Sequence, residues 1–233
     1  MKISLVIPTY NEEQYIKKCL IGAFAQDEKF YEVIVVNNNS TDKTLSIAKQ
    51  FPVRIVHESE QGMIQARNCG FDAVKGDIIA RCDADAHLPA DWSKLIREDF
   101  TNHPIDALTG PCKFYDLKLK TNLFSQIYLD AMKPILNGNE VLLGPNMVLT
   151  TGMWKRVREK VCTDNKRVHD DIDLAIHITH MGGKIMRDNN LVVAISGRRI
   201  KYSPASFFGE YPLRVIRTLA YHSKDILTPF LPL

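Results

Sequence analysis

The sequence lacks the patterns of a membrane-spanning or secreted protein. No stretch approaches the roughly 18 consecutive apolar residues that a membrane helix needs. The first apolar run, Ile3 to Ile7, is too short for the core of a signal peptide. The five cysteines are scattered and never spaced as Cys-x-x-Cys, which argues against a disulfide framework or a zinc site. We therefore expect a soluble, cytoplasmic protein with reduced thiols, attached at most to the inner surface of a membrane.

Several nucleotide-binding and hydrolase signatures are also absent. The chain has no Gly-x-Gly-x-x-Gly after its first apolar run, no Walker-type loop and no Gly-x-Ser-x-Gly elbow. Its 30 Lys and Arg residues nearly balance 27 Asp and Glu residues, so the net charge is only +3. That balance argues against a nucleic-acid partner.

The first hundred residues alternate between short apolar runs and segments with helical spacing. This alternation predicts a mostly parallel sheet with helices on both faces. We expect one α/β domain over residues 1–200 and a helical tail over 201–233. The predicted strands are 3–7, 33–36, 53–56 and 78–80, with extended segments at 105–114 and 141–150, and the predicted helices lie near 12–26, 42–50, 63–74, 90–100, 121–136 and 170–181.

Polar residues follow each of the first four apolar runs. Since parallel sheets bind ligands at the carboxyl ends of their strands, these residues are expected to share one rim. The fourth run leads into Asp83-Ala84-Asp85. Residues two apart on an extended chain point to the same side, and two carboxylates so placed suit Mg²⁺ or Mn²⁺. The alternative is an acidic surface turn.

A second acidic cluster, His169-Asp170-Asp171, opens a predicted helix. One of these carboxylates is a candidate general base that removes a hydroxyl proton, with Asp171 favoured over Asp170. The alternative is helix capping, because the helix dipole stabilises carboxylates in the first turn. We interpret Asp173 as structural. His177 and His180 are interpreted as one face of the helix and not as metal ligands.

Three arginines are candidates for binding a nucleotide or its phosphates. Arg67 follows a glycine-led segment and is either a phosphate contact or a solvated helix residue. Arg198 and Arg199 follow Ser196-Gly197, and adjacent arginines suit a diphosphate. A plain basic loop is the competing interpretation.

Taken in order, these motifs resemble the family-2 glycosyltransferases, which have the GT-A fold. The resemblance covers roughly residues 3–200. It is carried by Ile7-Pro8-Thr9-Tyr10-Asn11-Glu12, Val33 to Asp42, Gly62 to Gly70, and Gly76 to Ala80 running into Asp83-Ala84-Asp85. It implies an inverting transfer from a nucleotide-diphosphate sugar to a hydroxyl acceptor, either a glycan or a lipid-linked molecule.

The resemblance also implies roles for individual residues. The nucleoside pocket would be lined by Pro8, Thr9, Tyr10 and Glu12. Asn38 would contact the nucleobase, and Ala84 would lie beside the donor. Asp83 would face the ribose or a metal-bound water, and Asp85 would bind the metal. Asp171 would be the general base of the reaction. Asn146 and Trp154 would lie near the donor sugar and the acceptor.

The chain departs from the family after its second strand, where Asn37-Asn38 replaces the usual Asp-Asp. Asparagine still hydrogen-bonds a base edge but brings no charge. As the nucleotide of the sugar donor, UDP is therefore only slightly favoured over GDP or a deoxynucleotide. Two alternatives stay open: a non-catalytic nucleotide-sugar binder, and a nucleotidyltransferase, although the glycine-rich basic loop typical of that class is missing after the first strand.

The C-terminal tail shows helical periodicity. Phe208, Tyr211, Val215, Leu219, His222 and Ile226 recur at steps of three and four, as on one face of an amphipathic helix. Packing onto the catalytic domain is the preferred interpretation. Attachment to an anionic membrane surface is the alternative.

Overall fold

Four strands of the first half form the parallel part of the central sheet. The computed structural model describes residues 1–118, 121–205 and 209–224. Within them, β1 (Ile3–Thr9) pairs in parallel with β2 (Glu32–Asn37) and β4 (Ile78–Arg81), and β2 pairs with β3 (Arg54–His57). The carboxyl ends of these strands therefore meet at one edge.

Three shorter strands from the second half complete the sheet. Its order is β3-β2-β1-β4-β7-β5-β8, in which β7 (Met147–Thr150) runs antiparallel to its neighbours β4 and β5. β5 (Ala107–Thr109) and β8 (Ile185–Arg187) are parallel, and β6 (Cys112–Phe114) pairs separately with β9 (Val193–Ile195). The helices are α1 (Ile16–Phe24), α2 (Thr44–Ala48), α3 (Met63–Asp72), α4 (Trp92–Asn102), α5 (Leu123–Ile135), α6 (Thr151–Val157), α7 (Asp170–His180), α8 (Arg198–Tyr202) and α9 (Tyr211–Tyr221).

The apolar core has two layers, one on each face of the sheet. Leu5 and Ile7 of β1 pack with α1, α2 and α4, whereas Val6 packs with α3, α5, α6 and α7. This alternation follows from the two-residue period of a strand. The prediction of a mostly parallel sheet with helices on both faces is confirmed. The segment 141–150 is extended only from Met147, because a turn that contains Gly144 and Pro145 precedes β7.

The described part of the C-terminal tail contains the end of α8 and the whole of α9. Thr218 on α9 accepts a hydrogen bond from the backbone N–H of His169 at 2.7 Å, so α9 rests on the start of α7. Leu213 and Ile216 point away from this contact and are at least half exposed. Phe208 and Ile226, which belong to the predicted apolar face, lie outside the described residues. Among the described helices, none is both long and apolar enough to cross a membrane.

Candidate active site

An open cleft of about 230 Å³ lies at the carboxyl ends of β1 and β4. The first turn of α3 and the start of α8 close its sides. Nine predicted donor residues line it together with five others: Pro8, Thr9, Tyr10, Glu12, Asn38, Gln61, Gly62, Met63, Ala66, Arg81, Asp83, Ala84, Arg198 and Arg199. Its position at the strand ends and its mixed polar and apolar lining suit a small-molecule ligand.

Asp83 and Asp85 follow β4 in a turn in which the N–H of Ala86 donates to the carbonyl of Asp83 at 3.0 Å. The Asp83 carboxylate is about one-third exposed and lies 3.3 Å from Arg81. Asp85 is buried, and its Oδ2 lies 3.3 Å from Nε of Arg198. Burial and the charge of Asp83 raise the pKa of Asp85 to about 7. Burial thus opposes the ionised form of Asp85 more than the nearby Arg198 and Arg199 favour it.

Arg198 joins α8 to the far side of the cleft. Its guanidinium donates two hydrogen bonds to the Glu12 carboxylate, at 2.6 and 2.5 Å, and its carbon lies 4.5 Å from the centre of the Tyr15 ring. Together with the contact to Asp85, these bonds hold the start of α8 across the cleft. A bidentate arginine–carboxylate pair is among the stronger charged contacts in proteins.

Arg81, at the end of β4, is the centre of a buried charge cluster. Its Nη1 donates to Asp170 Oδ2 at 2.8 Å and lies 3.5 Å from Asp171 Oδ1, while its Nη2 faces Asp83. Burial alone would raise the pKa of Asp170, but the charges of Arg81 and Arg67 outweigh it and hold the pKa below its usual range. Asp170 is therefore an ionised partner of both arginines.

Asp171 has a different environment from its neighbour in the sequence. Its Oδ2 accepts a hydrogen bond from the backbone N–H of Gly144 at 2.7 Å, and its Oδ1 has no hydrogen-bond partner among the described residues. Burial and the charge of Asp170 raise its pKa well above the ordinary value, despite Arg81 and the Gly144 bond. A carboxyl group with a raised pKa and an unused oxygen is suited to proton transfer.

Gly144 allows the segment before β7 to approach this carboxylate closely. A Cβ at this position would lie 2.9 Å from Asp171 Oδ1 and 3.0 Å from Arg81 Nη2. The carboxylate would have to shift, and the guanidinium would be crowded. A side chain at position 144 would therefore disturb both charged groups.

The same two acids belong to a group of potential metal ligands. One ligand atom from each of His169, Asp170 and Asp171 lies within 4.8 Å of the others. Asp170 is already bound to Arg81, which leaves Asp171 as the more available carboxylate. Asp83 on the cleft wall and the buried Asp85 behind it could supply oxygen ligands to a cation, and the raised pKa of Asp85 fits a carboxylate that a cation would stabilise.

A comparison with protein families identifies the chain. The family model described as "Glycosyl transferase family 2" matches residues 4–161, which include all four parallel strands and Asp83-Ala84-Asp85. The chain belongs to glycosyl transferase family 2. The resemblance noted in the sequence is thereby confirmed.

Individual relatives share about a third or less of their residues with this family 2 chain over the matched region. It is 28% identical over 150 residues to the uncharacterized glycosyltransferase EpsJ of Bacillus subtilis (strain 168), a match that covers 62% of this chain and 41% of EpsJ. The matched region is less than half the length of the first curated relatives.

Solved structures confirm the GT-A fold. The mannosyltransferase PcManGT from Pyrobaculum calidifontis, in complex with GDP-Man and Mn²⁺, aligns with a TM-score of 0.78 at 22% identity, covering 99% of this chain and 66% of that one. Glucosyl-3-phosphoglycerate synthase from Mycobacterium tuberculosis, in complex with Mn²⁺, UDP and glucosyl-3-phosphoglycerate, aligns with a TM-score of 0.69 at 19% identity, covering 98% and 81%.

Three residues that the family resemblance or the sequence placed at the ligand lie elsewhere. Arg67 does not line the cleft: it is wholly buried and donates to the carbonyl of Asp170 at 2.8 Å. It is neither a phosphate contact nor a solvated residue in this structure, because its guanidinium supports the start of α7.

Asn146 and Trp154 are also part of the protein interior. Asn146 accepts a hydrogen bond from Trp92 and donates to the carbonyl of Leu191, so its amide fixes the segment before β7. The Trp154 indole donates to Asp72 at 2.8 Å and packs edge-to-face on Phe71. Neither residue lines the cleft.

Asn38 lines the cleft, but its amide is already occupied. It donates to the carbonyls of Glu58 and Glu60 at 3.0 and 2.7 Å, and accepts from the N–H of Gly62 and the amide of Gln61. These four bonds hold the loop between β3 and α3. The residue thus shapes the wall of the cleft.

Sequence reasoning missed Arg81, the residue that connects the cleft to the acidic pair. One signal was present: Arg81 ends a strand whose other three residues are apolar, and a buried arginine at a strand end requires carboxylate partners. The role of Gly144 had no comparable signal, because it depends on a contact with α7.

Proposed function

We propose that this chain is a metal-dependent, inverting glycosyltransferase that transfers a sugar from a nucleotide-diphosphate sugar to a hydroxyl group. The arrangement around Arg81 carries this proposal. One guanidinium contacts Asp83 on the cleft wall and the acidic pair Asp170-Asp171 at the start of α7. A donor in the cleft and a base beside it would therefore be neighbours, as a single displacement requires.

The donor is assigned to the cleft lined by Pro8, Thr9, Tyr10, Glu12 and Ala84. Two neighbours of the same fold hold GDP-Man and UDP, which supports a nucleotide-diphosphate sugar as ligand. UDP remains slightly favoured over GDP. The Asn38 amide already hydrogen-bonds the loop between β3 and α3. Asn38 would therefore position that loop against the nucleobase of the donor.

Asp83 and Asp85 are the residues that would hold Mg²⁺ or Mn²⁺. Such an ion, when bound, neutralises the diphosphate that leaves. The Mn²⁺ in both neighbouring structures and the raised pKa of Asp85 support this assignment. Arg198 and Arg199 face the same part of the cleft and would contact the phosphates from the side of α8.

Asp171 is assigned as the general base for the acceptor hydroxyl, and Asp170 as the ionised residue that positions Arg81. The backbone N–H of Gly144 fixes one oxygen of Asp171, and the other, which is buried, has no hydrogen-bond partner among the described residues and would accept the proton. A raised pKa strengthens the base. The acceptor is a hydroxyl of a glycan or a lipid-linked molecule.

A donor screen tests the proposal. UDP-, GDP- and dTDP-sugars are incubated with Mn²⁺ or Mg²⁺ and a broad set of hydroxyl acceptors, and release of the nucleoside diphosphate is measured. We expect turnover to be lost in Asp85→Ala and Asp171→Asn, with donor binding kept in the second variant. Binding without turnover by the unaltered chain would indicate the non-catalytic alternative, and pyrophosphate release from a nucleoside triphosphate would indicate a nucleotidyltransferase.

We also propose that α9 contacts an anionic membrane surface near a lipid-linked acceptor. Leu213 and Ile216 are exposed on α9, beside Arg214 and Arg217. Apolar and basic residues together favour such surfaces. Flotation with anionic liposomes should recover the unaltered chain but not Leu213→Ser/Ile216→Ser. Equal recovery of both, or recovery of neither, would refute the membrane contact.

A further inference from the structure

Three side chains that the proposed reaction does not use meet where α9 ends against α7. Asp173 and His177 are four residues apart on α7 and lie on the same face, and His222 follows the last residue of α9. The Nε2 atom of His222 lies 2.8 Å from Asp173 Oδ1, and that of His177 lies 3.6 Å from the same oxygen. The two imidazole rings are 5.0 Å apart and nearly perpendicular.

This His–Asp–His cluster is buried and oriented by the surrounding protein. The side chains of Asp173 and His222 are essentially inaccessible, and that of His177 is 15% exposed. The second oxygen of Asp173 accepts a hydrogen bond from the backbone N–H of Cys162 at 3.0 Å. His222 and the Cys162 N–H therefore contact different oxygens of Asp173 and fix the carboxylate, as a metal ligand needs to be.

Hydrogen bonding within the cluster is incomplete. Nε2 of His177 is buried and has no hydrogen-bond partner among the described residues, because its distance from Asp173 is too long for a hydrogen bond. A buried polar atom without a partner is costly. A cation between the three side chains would give this nitrogen a partner and would neutralise the carboxylate.

We propose that Asp173, His177 and His222 bind a divalent transition metal, with Zn²⁺ as the best match. Zinc bonds to imidazole nitrogen and carboxylate oxygen are about 2.0–2.2 Å long, so ligand atoms in a tetrahedral site lie about 3.3–3.6 Å apart. The His177–Asp173 distance already has this value. The His222–Asp173 distance needs to lengthen by about half an ångström. All three ligand atoms lie within 4.8 Å of one another.

The ligand set separates this site from the proposed catalytic site. Two nitrogen ligands and one oxygen favour zinc and related transition metals, whereas carboxylates such as Asp83 and Asp85 favour Mg²⁺ or Mn²⁺. A metal at this cluster would link α7, which begins with the acidic pair, to the end of α9. It would thereby hold the C-terminal segment on the domain. His180, the other histidine of the helix face expected from the sequence, does not belong to this cluster.

The test uses the full chain after treatment with a chelator. Co²⁺ is added as a spectroscopic probe, and the affinity for Zn²⁺ is measured by competition. His177→Gln is the informative variant, since its Nε2 makes no hydrogen bond and its loss should leave the metal-free melting temperature unchanged. His180→Gln is the matched control on the same helix. Asp85→Asn removes a proposed ligand of the catalytic Mg²⁺ or Mn²⁺ and leaves the His–Asp–His cluster intact.

We expect the unaltered chain, His180→Gln and Asp85→Asn to show the strong visible absorption of four-coordinate Co²⁺. Zn²⁺ should raise their melting temperatures, because it binds only the folded chain. The Zn²⁺ affinity of His177→Gln should fall by at least about 100-fold, since losing a residue that only hydrogen-bonds to a metal ligand already costs up to that much. Equal affinity in His177→Gln and the unaltered chain would overturn the proposal. So would loss of the Co²⁺ absorption in Asp85→Asn, which would assign the metal to the cleft.

Discussion

Replacing Asp171 by asparagine should lower activity and raise stability at the same time. The substitution keeps the shape of the side chain and an oxygen that accepts the Gly144 hydrogen bond. It removes the proposed base, so turnover should fall by about 10²–10⁴-fold. It also removes a carboxylate that burial and the charge of Asp170 destabilise. The two effects have a common cause, because the environment that strengthens the base opposes its ionisation.

The stability effect has a defined dependence on pH. In the unfolded chain Asp171 titrates near 3.8, whereas in the folded chain its pKa is raised. The folded state then holds a proton that the unfolded state releases, so stability is highest below about pH 3.8 and falls as pH rises through the folded pKa. Each unit of difference between the folded and unfolded pKa changes the free energy of unfolding by about 1.4 kcal/mol. For a domain of this size, that energy corresponds to about 3–5 °C in melting temperature.

Asp170→Asn is the matched comparison. It is also isosteric and adjacent, but it removes the ionised partner of Arg81 and Arg67. Breaking a buried ion pair from one side costs about 3–5 kcal/mol. Because the folded pKa of Asp170 is lowered, its contribution is present above about pH 3.8 and is lost in more acidic solution. The melting temperature of Asp170→Asn should therefore lie well below that of the unaltered chain at pH 7.

The assay is thermal unfolding of the three proteins at pH 5 and pH 8, with diphosphate release measured at pH 7. The advantage of Asp171→Asn over the unaltered chain should grow between pH 5 and pH 8, and Asp170→Asn should be destabilised at both. Equal destabilisation by the two substitutions would show that the adjacent acids share one role, and the argument for Asp171 as the base would fail.

Three further substitutions test the cleft. Gly144→Ala should abolish most turnover while donor affinity is kept, because the new Cβ displaces Asp171 and Arg81; equal turnover in Gly144→Ala and the unaltered chain would contradict the close approach. Arg198→Ala should weaken donor binding, measured by titration with UDP and GDP in Mn²⁺, since Glu12 and Asp85 lose their cation; an unchanged dissociation constant would exclude a role in binding. Asn38→Asp should lower the melting temperature, because the carbonyls of Glu58 and Glu60 lose their hydrogen-bond donor at a cost of about 1–3 kcal/mol each. Tighter binding of the nucleotide sugar without a loss of stability would instead indicate that Asn38 contacts the nucleobase.

The residues that could be predicted from the sequence lie at strand ends. A parallel sheet brings the ends of β1 and β4 together whatever the later packing, so Tyr10, Glu12 and Asp83 were predicted to share a rim and do line one cleft. The short apolar runs also indicated which segments are strands, because β1, β2 and β4 are buried on both faces of the sheet. Local pattern was sufficient at these positions.

The environment of a side chain could not be predicted in this way. Arg67 has the sequence context of an exposed helix residue, yet tertiary packing buries it against the start of α7. Asn146 and Trp154 follow the family motif but point into the core. In each case the direction of the side chain depends on a partner more than twenty residues away, and the periodicity of one element does not contain that information.

Asp170 and Asp171 show most directly why adjacent, identical residues differ in their ionisation. On a helix, consecutive side chains point about 100° apart, so the two carboxylates face different neighbours. Arg81 Nη1 is 2.8 Å from Asp170 but 3.5 Å from Asp171, and Arg67 forms an ion pair with Asp170. Two arginines keep Asp170 ionised, and that negative charge then raises the pKa of Asp171. The assignment of the base thus follows from the position of two guanidinium groups and not from the acidic pair itself.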